Sequence, residues 1–420
     1  MMESAKIYLF GASVFGKEAY HNLKAYYDII GFIDNDEAKW GKEIFDGKKV
    51  MPLANAINDD YHIFITSQYA FEISNQLSYA GIEKYSIYPC LEFSGGYDDI
   101  YLCQRINLSA KRLFLKFKDI VIDKLNISDY NKRYLASKTW TDFFTYSCIL
   151  YTILSKRPEI NNFLDYGGGS GLLSLLAIEF GLRDVYYNDI YDISCKDAWE
   201  IASVLGYKRK AYIEGDVDNV IRFCEKTGIL FDAVGSYDVI EHIYDLESHF
   251  KVLGQILSSY NIVCMESGAN VYDKDSVDNL ALGHLKVEYL DRDYVYGHKE
   301  RDSLKSYFNL RKDIIYNFTE SNNLNELEII GLAFLTKGMV KSDIENSVEQ
   351  YLNTGELPMP DPYGIFHHNT CDPLTGNWQE HLIDFNKLQA LVEQLGYSFD
   401  LKYRGKKENS KTVQVVLSYL

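Results

Sequence analysis

A glycine-rich segment in the middle of the chain has the residue types and spacing of a turn that binds a ribose-containing ligand. Asp165–Gly171 reads DYGGGSG and lies between an apolar strand and a predicted helix. Glycine lets the backbone approach a ligand closely and adopt φ angles closed to other residues. Asp189 ends the next predicted strand, where its carboxylate is placed for ribose hydroxyls. We therefore expect a ligand site at this sheet edge.

Two further sets of polar residues follow the next predicted strands. Asp216 comes after the third strand, where its carboxylate could accept from an adenine amino group. Asp238-Val-Ile-Glu241-His242 follows the fourth strand. A hydroxyl is a poor nucleophile until it is deprotonated, so a general base or a metal ion must lower its pKa. We expect His242 to be the base, with a metal site of Asp238, Glu241 and His242 as the alternative. A purely structural role, in which Glu241 and His242 cap the following helix, is also open.

The elements around these residues alternate between strands and helices, which predicts a parallel sheet with helices on both faces. The predicted strands are a strand ending at Phe163-Leu164-Asp165, then Val185–Asn188, Ala211–Ile213, Phe231–Ser236, Ile262–Met265, Tyr397–Tyr403 and Thr412–Tyr419. The predicted helices are Leu172–Phe180, Asp245–Leu257 and Phe385–Leu395. His249 lies off the apolar stripe of its helix and is expected to be solvated.

A first βα series precedes this one. Its predicted strands are Lys6–Phe10, Ile29–Ile33, His62–Thr66 and Tyr85–Tyr88, with helices at Lys17–Tyr26 and Phe71–Ala80. The turn Gly11–Gly16 departs from Gly-x-Gly-x-x-Gly by Ser13 at the second glycine, and Asp34 occupies the ribose position. Ser13 and Asp34 are therefore candidate ligand residues. The alternative is a Rossmann-like unit kept for packing or oligomerisation, since fold alone does not give function.

These patterns divide the chain into four parts. We expect a small Rossmann-like domain at 1–92, a helical connector at 93–158, a second Rossmann-like domain at 159–268 and 376–420, and an insertion at 269–375. The insertion contains His367 and His368 just before the chain rejoins the sheet. A lid there would exclude water from the site and bind the substrate. A surface loop with incidental histidines is the alternative.

Composition limits the partners and the compartment. The 420 residues include 43 Lys and Arg against 60 Asp and Glu, a net charge of −17. This charge argues against nucleic acid and against docking on an anionic membrane. We see no secretory signal and no transmembrane segment, and the seven cysteines are spread without a disulfide or zinc pattern. A cytoplasmic protein is expected, with homo-oligomerisation open.

The second series resembles the class I S-adenosylmethionine-dependent methyltransferases. DYGGGSG is similar to their first motif, YYNDI to their second, EGDV to their third and FDAVGSYDVIEHI to their fourth. The resemblance implies an S-adenosyl-L-methionine cofactor and a sheet with an antiparallel last strand. It also implies the cofactor residues, which are Asp165, Gly167, Gly169, Gly171, Asp189, Asp216, Val217 and Ser236. The segment Asp238–His242 is similar to the Glu-x-x-Glu-His segment of ubiquinone-pathway O-methyltransferases, where carboxylates and His hold a divalent metal; a bound metal here is not the favoured expectation.

The first series resembles small Rossmann domains attached to sugar-modifying enzymes of bacterial polysaccharide pathways. The segment that carries this resemblance is GFIDNDEAKWGKEIFDGKKV. It implies O-methylation of a small-molecule acceptor, a sugar or nucleotide-sugar, in bacterial surface-polysaccharide biosynthesis. A nicotinamide-dependent sugar oxidoreductase or epimerase that uses the first domain is an alternative. A methyltransferase acting on a non-sugar molecule and a non-catalytic binding module are the others.

Overall fold

The computed structural model describes residues 5–57, 59–88, 97–291, 304–319, 324–357, 369–377, 379–404 and 407–419. The strands are β1 Lys6–Phe10, β2 Asp28–Ile33, β3 Glu43–Phe45, β4 Lys48–Met51, β5 His62–Ile65, β6 Tyr85–Ile87, β7 Asn162–Tyr166, β8 Asp184–Asp189, β9 Ala211–Glu214, β10 Phe231–Tyr237, β11 Leu257–Ser267, β12 Tyr397–Tyr403 and β13 Val413–Tyr419. The helices are α1 Val14–Leu23, α2 Ala70–Tyr79, α3 Tyr97–Lys118, α4 Asp129–Ala136, α5 Trp140–Lys156, α6 Leu172–Phe180, α7 Asp192–Leu205, α8 Val217–Thr227, α9 Leu246–Leu253, α10 Lys274–Tyr289, α11 Tyr307–Phe318, α12 Glu326–Leu335, α13 Lys341–Thr354 and α14 Phe385–Gln394.

The first sheet has the order β3-β4-β2-β1-β5-β6, and all of its neighbours are parallel except β3 and β4. This confirms the Rossmann-like unit. The β3–β4 hairpin was not predicted from the sequence; its turn is Asp46-Gly47, with φ angles of 46° and 77°. An Asp-Gly pair between short strands is a strong hairpin signal, because both turn residues need positive φ. The helix predicted at Lys17–Tyr26 is α1 Val14–Leu23, which begins and ends three residues earlier and contains Gly16 of the glycine turn.

The two glycines of the first turn pack directly on each other. A Cβ atom at Gly16 would lie 1.8 Å from the carbonyl oxygen of Gly11. Gly11 itself has a φ of 128°, and a Cβ there would lie 2.6 Å from the carbonyl oxygen of Thr66. Glycine is therefore required at both positions, where α1 crosses the ends of β1 and β5.

We expect Gly16→Ala to destabilise the first unit by about 2 kcal/mol or more, because the methyl group would displace backbone rather than a flexible side chain. Chemical denaturation followed by circular dichroism measures the change. Gly331→Ala is the matched control, because a Cβ at Gly331 meets no atom within 4 Å. Equal denaturation midpoints for the two variants would show that the turn can open without cost.

The second sheet has the order β12-β13-β11-β10-β7-β8-β9. Strand β13 is antiparallel to both of its neighbours, β11 and β12, whereas the remaining neighbours are parallel. This confirms the predicted antiparallel last strand. The chain enters at β7 in the middle and moves outward first through β8 and then through β10. The carboxyl ends of β7 and β10 therefore border a crevice, the usual ligand position in an open α/β sheet.

The two sheets share one hydrophobic core through α3 and α5. This core joins Leu9 and Phe64 of the first unit to Phe114 of α3, Ile149 of α5 and Phe163 of β7. Helix α5 is buried along most of its length, which explains its strongly apolar sequence. The helices between the two sheets therefore pack as a layer that both units contact.

The described part of the insertion forms four regular helices, α10 to α13, with a small core of their own. That core contains Ile315 of α11, Leu332 of α12 and Val348 of α13. This region is polar because the outer faces of its helices are exposed to solvent. Among the described residues, no helix is both long enough and apolar enough to cross a bilayer.

Candidate active site

The glycine-rich loop between β7 and α6 folds back on itself at the crevice. Gly167, Gly169 and Gly171 have φ angles of 64°, 53° and 77°. The backbone N–H of Gly168 donates to the carbonyl oxygen of Asn188 at the end of β8, at 2.9 Å. A Cβ at Gly169 would meet no atom within 4 Å, so this part of the loop faces open space. The loop is therefore rigidly placed and leaves room for a ligand at Gly169.

Asp165 and Arg209 fix the glycine loop through hydrogen bonds to Ser174 and Gly171 at the start of α6. Asp165 is 2% exposed, and its Oδ2 accepts from the backbone N–H of Ser174 at 2.9 Å and from the Ser174 hydroxyl at 2.5 Å. The Arg209 guanidinium donates to the carbonyl oxygen of Gly171 at 2.7 Å. Burial raises the pKa of Asp165 to about 6, and the Ser174 hydroxyl and Arg209 act in the opposite direction. The described contacts of Asp165 are thus with α6, and Arg209 is a loop residue that the sequence analysis missed.

Asp189 closes the loop from the end of β8. Its Oδ2 accepts from the backbone N–H of Gly169 at 3.0 Å, and its Oδ1 accepts from the backbone N–H of Tyr191 at 3.0 Å. The side chain of Asn188 donates to the carbonyl oxygens of Ile213 and Gly215, which fixes the end of β8 against β9. The structure therefore brings Asp189 and the open glycine of the loop together.

The remaining predicted cofactor residues lie around the same edge. Asp216 is exposed and caps α8, because its Oδ1 accepts from the backbone N–H groups of Asp218 and Asn219 at 3.1 and 3.3 Å. Val217 is buried in the first turn of that helix. Ser236 is fully buried at the end of β10, and its hydroxyl has no hydrogen-bond partner among the residues described.

The carboxyl groups after β10 form a second cluster at the crevice. Asp238 has a φ of 53°, a left-handed conformation that is uncommon for aspartate. Its backbone N–H donates to the carbonyl oxygen of Glu266 at 2.9 Å, and its Oδ1 accepts from the backbone N–H of Gly268 at 3.2 Å. Asp238 keeps exposed surface, whereas Glu241 is 1% exposed and His242 is half-buried.

Asp238 and Glu241 both have raised pKa values and so bind protons more tightly than ordinary carboxyl groups. Burial raises the pKa of Glu241 from 4.5 to about 7, and the charge of Glu380 acts in the same direction. The pKa of Asp238 is raised well above its usual value because the group is desolvated and faces the charges of Glu241 and Glu380. Two close carboxyl groups cannot both ionise easily. The pair therefore holds a proton near neutral pH that an ordinary carboxyl would release.

A buried network fixes the strand ends beneath this cluster. Glu266 is fully buried at the end of β11 and accepts from Arg404 at 2.8 Å, Thr412 at 2.7 Å and Gln414 at 2.8 Å. The Gln414 side-chain oxygen in turn accepts from the Thr152 hydroxyl of α5 at 2.6 Å. The network ties β11 and β13 to α5 and so positions the backbone carbonyl that holds Asp238. The sequence analysis missed it, because its members lie far apart in the chain.

Tyrosines from α4, α5 and β10 line the other side of the cluster. The rings of Tyr146 and Tyr237 meet edge to face with their centroids 5.5 Å apart. The Lys138 ammonium lies 3.7 Å from the ring centroid of Tyr134. The pKa values of Tyr146 and Tyr237 are raised by burial, so both phenols stay protonated at neutral pH. This arrangement gives the crevice an apolar wall with neutral hydroxyl groups.

Of the other residues singled out in the sequence, those that the structure describes lie outside the glycine loop and the carboxyl cluster. In the first unit, the Asp34 carboxylate accepts from the backbone N–H of Ala12 at 2.8 Å and from Lys39 at 3.0 Å, and Ser13 occupies the N-cap position of α1 without a capping hydrogen bond. His367 and His368 lie outside the described residues. The expectation that His249 is solvated is wrong: it is 6% exposed and packs on the ring of Tyr166, at 5.7 Å between centroids.

The structure gives no support to the metal alternative in the part of the chain that it describes. Within the described ranges, no three His, Cys, Asp or Glu side chains converge in a group that could hold a metal ion. Asp238, Glu241 and His242 are neighbours in sequence, but the 3₁₀ turn Ile240–His242 does not arrange them as such a group.

Comparison with known proteins gives one family match and several similar folds. Residues 3–88 match a sequence family described as C2185-like, N-terminal. No curated protein sequence matches the chain. A solved S-adenosylmethionine-dependent methyltransferase from Clostridium acetobutylicum is 11% identical, with 69% of this chain and 96% of that chain covered and a TM-score of 0.35.

Two other solved structures show similar values. A protein from Pyrococcus horikoshii is 13% identical over 64% of this chain and 85% of its own, with a TM-score of 0.34. A ribosomal protein L11 methylase from Lactobacillus delbrueckii subsp. bulgaricus is 18% identical over 36% of this chain and 72% of its own, with a TM-score of 0.25. The order of the second sheet and its antiparallel β13 agree with the Rossmann-like fold with an antiparallel last strand that was expected from the sequence.

Proposed function

We propose that the protein is an S-adenosyl-L-methionine-dependent methyltransferase that acts on a small-molecule acceptor. The observation that carries this proposal is the position of two polar groups at neighbouring parallel strands. The open glycine loop, held by the Asp189 carboxylate, follows β7, and the buried carboxyl of Glu241 follows β10, which pairs with β7. We assign the loop to the nucleoside and Glu241 to the acceptor's proton because both lie at the carboxyl edge of one sheet.

The residues present fit such a cofactor. Gly169 leaves open space where a Cβ would stand, and the buried Ser236 hydroxyl lacks a partner among the described residues. Asp189 would bind the ribose hydroxyls, and Asp216 and Val217 at the start of α8 would face the adenine. When bound, the cofactor supplies an electrophilic methyl group on a cationic sulfur. The negative charge of the protein and of this cluster favours such a cation.

Glu241 is the residue that we assign as proton acceptor. Its pKa of about 7 is near the operating pH, which is the range in which a general base works best. Asp238 has exposed surface and lies within hydrogen-bonding reach of Glu241, so it would receive the acceptor. Much of the rate would come from holding the acceptor atom in line with the methyl group. His242, the base predicted from sequence, stays a second candidate.

The acceptor that we propose is a sugar or nucleotide-sugar of surface-polysaccharide biosynthesis. It is supported by the resemblance of the first unit to sugar-enzyme domains and by the core shared between the two units. Incubation with labelled cofactor and a panel of nucleotide-sugars tests it. If none of the nucleotide-sugars becomes labelled while a non-sugar metabolite does, the acceptor is a different small molecule and the sugar proposal is wrong.

The cofactor site itself is tested by titration calorimetry with S-adenosylhomocysteine. We expect Asp189→Ala to weaken binding by about tenfold or more, because a hydrogen bond to a charged group contributes roughly 1.5–3 kcal/mol. Asp189→Asn is the companion variant, since its amide oxygen can still accept from the Gly169 backbone. Asp192→Ala, an exposed position in α7, is the matched control. Unchanged affinity in Asp189→Ala would refute the ribose assignment, and tight binding of NADH would favour an oxidoreductase.

A further inference from the structure

Tyr244 connects the segment that carries Glu241 to the insertion. It lies two residues after the 3₁₀ turn Ile240–His242 and is half-buried. Its hydroxyl donates to the Asp343 carboxylate at 2.5 Å and accepts from the backbone N–H of Val340 at 3.3 Å. Burial and the hydrogen bond to Asp343 raise the pKa of the Tyr244 phenol, so it keeps the proton that it donates.

The phenol occupies a bridging position in the first turn of α13. Val340 is the N-cap residue of this helix, and its apolar side chain cannot accept a capping hydrogen bond. Asp343 is the third residue of the helix, from which an acidic side chain commonly reaches back to the N–H of the N-cap. The Tyr244 hydroxyl stands between these two groups and is bonded to both. A side chain from the segment after β10 therefore completes the start of α13.

The chain that returns from α13 to the sheet holds the same segment at a second point. The backbone N–H of His381 donates to the carbonyl oxygen of Glu241 at 2.9 Å. The backbone N–H of Lys341 donates to the carbonyl oxygen of Pro373 at 2.7 Å, which joins the start of α13 to the returning chain. The backbone of Glu241 and the hydroxyl of Tyr244 are thus both attached to one connected part of the molecule.

We propose that Tyr244 is a positioning residue for Glu241: its hydroxyl fastens the segment between β10 and α9 to α13, so that the insertion determines how Glu241 is placed and shielded from water. This inference rests on the proposed methyltransferase function, in which Glu241 accepts the proton. Tyr244 acts through the backbone of its own segment, and no contact with the acceptor is assigned to it.

Tyr244→Phe is expected to lower the pKa of Glu241. The substitution keeps the aromatic ring and removes the hydroxyl, so the Asp343 carboxylate and the Val340 N–H lose the group that joins them. The segment is then held less firmly to α13, and water reaches Glu241 more easily. Better hydration stabilises the charged carboxylate, so the pKa falls from about 7 towards 4.5. We expect the titration midpoint to fall by about one unit or more.

NMR of protein labelled with carbon-13 at the glutamate carboxyl groups measures this midpoint, and Glu241→Gln identifies the signal by its absence. Asp238 and Glu241 titrate as a pair, so the midpoint is a property of both groups. Glu380 and His242 also act on this pair, and neither is changed in the variant. Tyr316→Phe, an exposed change on α11, is the matched control and should leave the midpoint where it is.

Two variants at Asp343 keep the test independent of whether Tyr244→Phe folds. Asp343→Ala removes the group that accepts the phenol proton, so it should shift the Glu241 midpoint in the same direction from within the insertion. Asp343→Asn keeps an oxygen that can accept from the phenol and should preserve the midpoint of wild type. Glu349→Ala, an exposed change on α13, is the control. A merely structural Tyr244 would lower the melting temperature of these variants without moving the midpoint.

The results separate the positioning role from the proposed function. An unchanged midpoint in Tyr244→Phe, or in Asp343→Ala where Tyr244→Phe does not fold, would overturn the positioning role while Glu241 stays the proton acceptor. A midpoint near 4.5 in wild type would overturn Glu241 as proton acceptor and the positioning role with it. By calorimetry, the affinity for S-adenosylhomocysteine should be equal in wild type and variants. Its loss in the variants would mean that Tyr244 supports the whole sheet edge, and its absence in wild type would overturn the cofactor site.

Discussion

Glu241→Gln is expected to make the protein more stable above pH 7 and to abolish most of its methyl transfer. The pKa of Glu241 is raised from 4.5 in an unfolded chain to about 7 in the fold. A carboxyl with a raised pKa binds its proton more tightly in the folded state, so its contribution to stability is present below pH 4.5. That contribution is lost as the pH rises through 7. A shift of this size corresponds to roughly 3 kcal/mol.

Thermal melts at pH 5 and pH 8 check this prediction. The glutamine has no charge to bury, so the gap in melting temperature between Glu241→Gln and wild type should widen from pH 5 to pH 8. Glu225→Gln, an exposed change on α8, should show no such widening. Methyl transfer by wild type should rise with pH through about 7, as the base loses its proton, and the variant should lose about 10²-fold or more of that rate. A melting temperature lowered equally at both pH values would show that Glu241 is simply a structural hydrogen-bonding group.

The glycine loop was predictable because its signals are local. DYGGGSG, the apolar strand before it and Asp189 after the next strand lie within one βα unit, and the structure brings the loop and that carboxylate together at 3.0 Å. The parallel strands were predictable for the same reason, since alternating strands and helices form parallel sheets, whereas the antiparallel last strand was expected only from the family resemblance. The missed β3–β4 hairpin was also locally encoded, in Asp46-Gly47.

The carboxyl cluster was only half predictable. Asp238 and Glu241 lie in one short segment, but Glu380 arrives after the whole insertion, and Arg404 reaches Glu266 from the final hairpin. Periodicity cannot place such residues, because their positions depend on how distant elements pack. His249 shows the same limit: its place on α9 predicted solvent, whereas Tyr166 of the glycine loop covers it. The sequence therefore indicated the sheet edge at which the site lies, but it did not indicate the charged residues Glu380, Glu266 and Arg404 that come from distant segments.

A buried ion pair, Arg311 with Glu288, holds the helices of the insertion together. Arg311 of α11 is fully buried and pairs with Glu288 of α10, which is 1% exposed. The Arg311 Nε also donates to the carbonyl oxygen of Ala333 in α12 at 2.8 Å, and the Thr370 hydroxyl donates to Glu288 at 2.6 Å. One pair of charges thus holds three helices and the returning segment. His284 of α10 also hydrogen-bonds the backbone of Gln379, next to Glu380.

Arg311→Met is therefore expected to destabilise the insertion by about 3–5 kcal/mol, because it leaves the Glu288 carboxylate buried without its partner. Hydrogen exchange should show lost protection in α10, α11 and α12, with the amides of β7 and β8 unaffected. Adding Glu288→Gln to Arg311→Met should restore much of the lost stability, because it removes the buried charge that has no partner. Arg222→Met, on the exposed face of α8, is the control. Loss of protection throughout the second sheet would instead mean that the insertion and the sheet unfold as one unit.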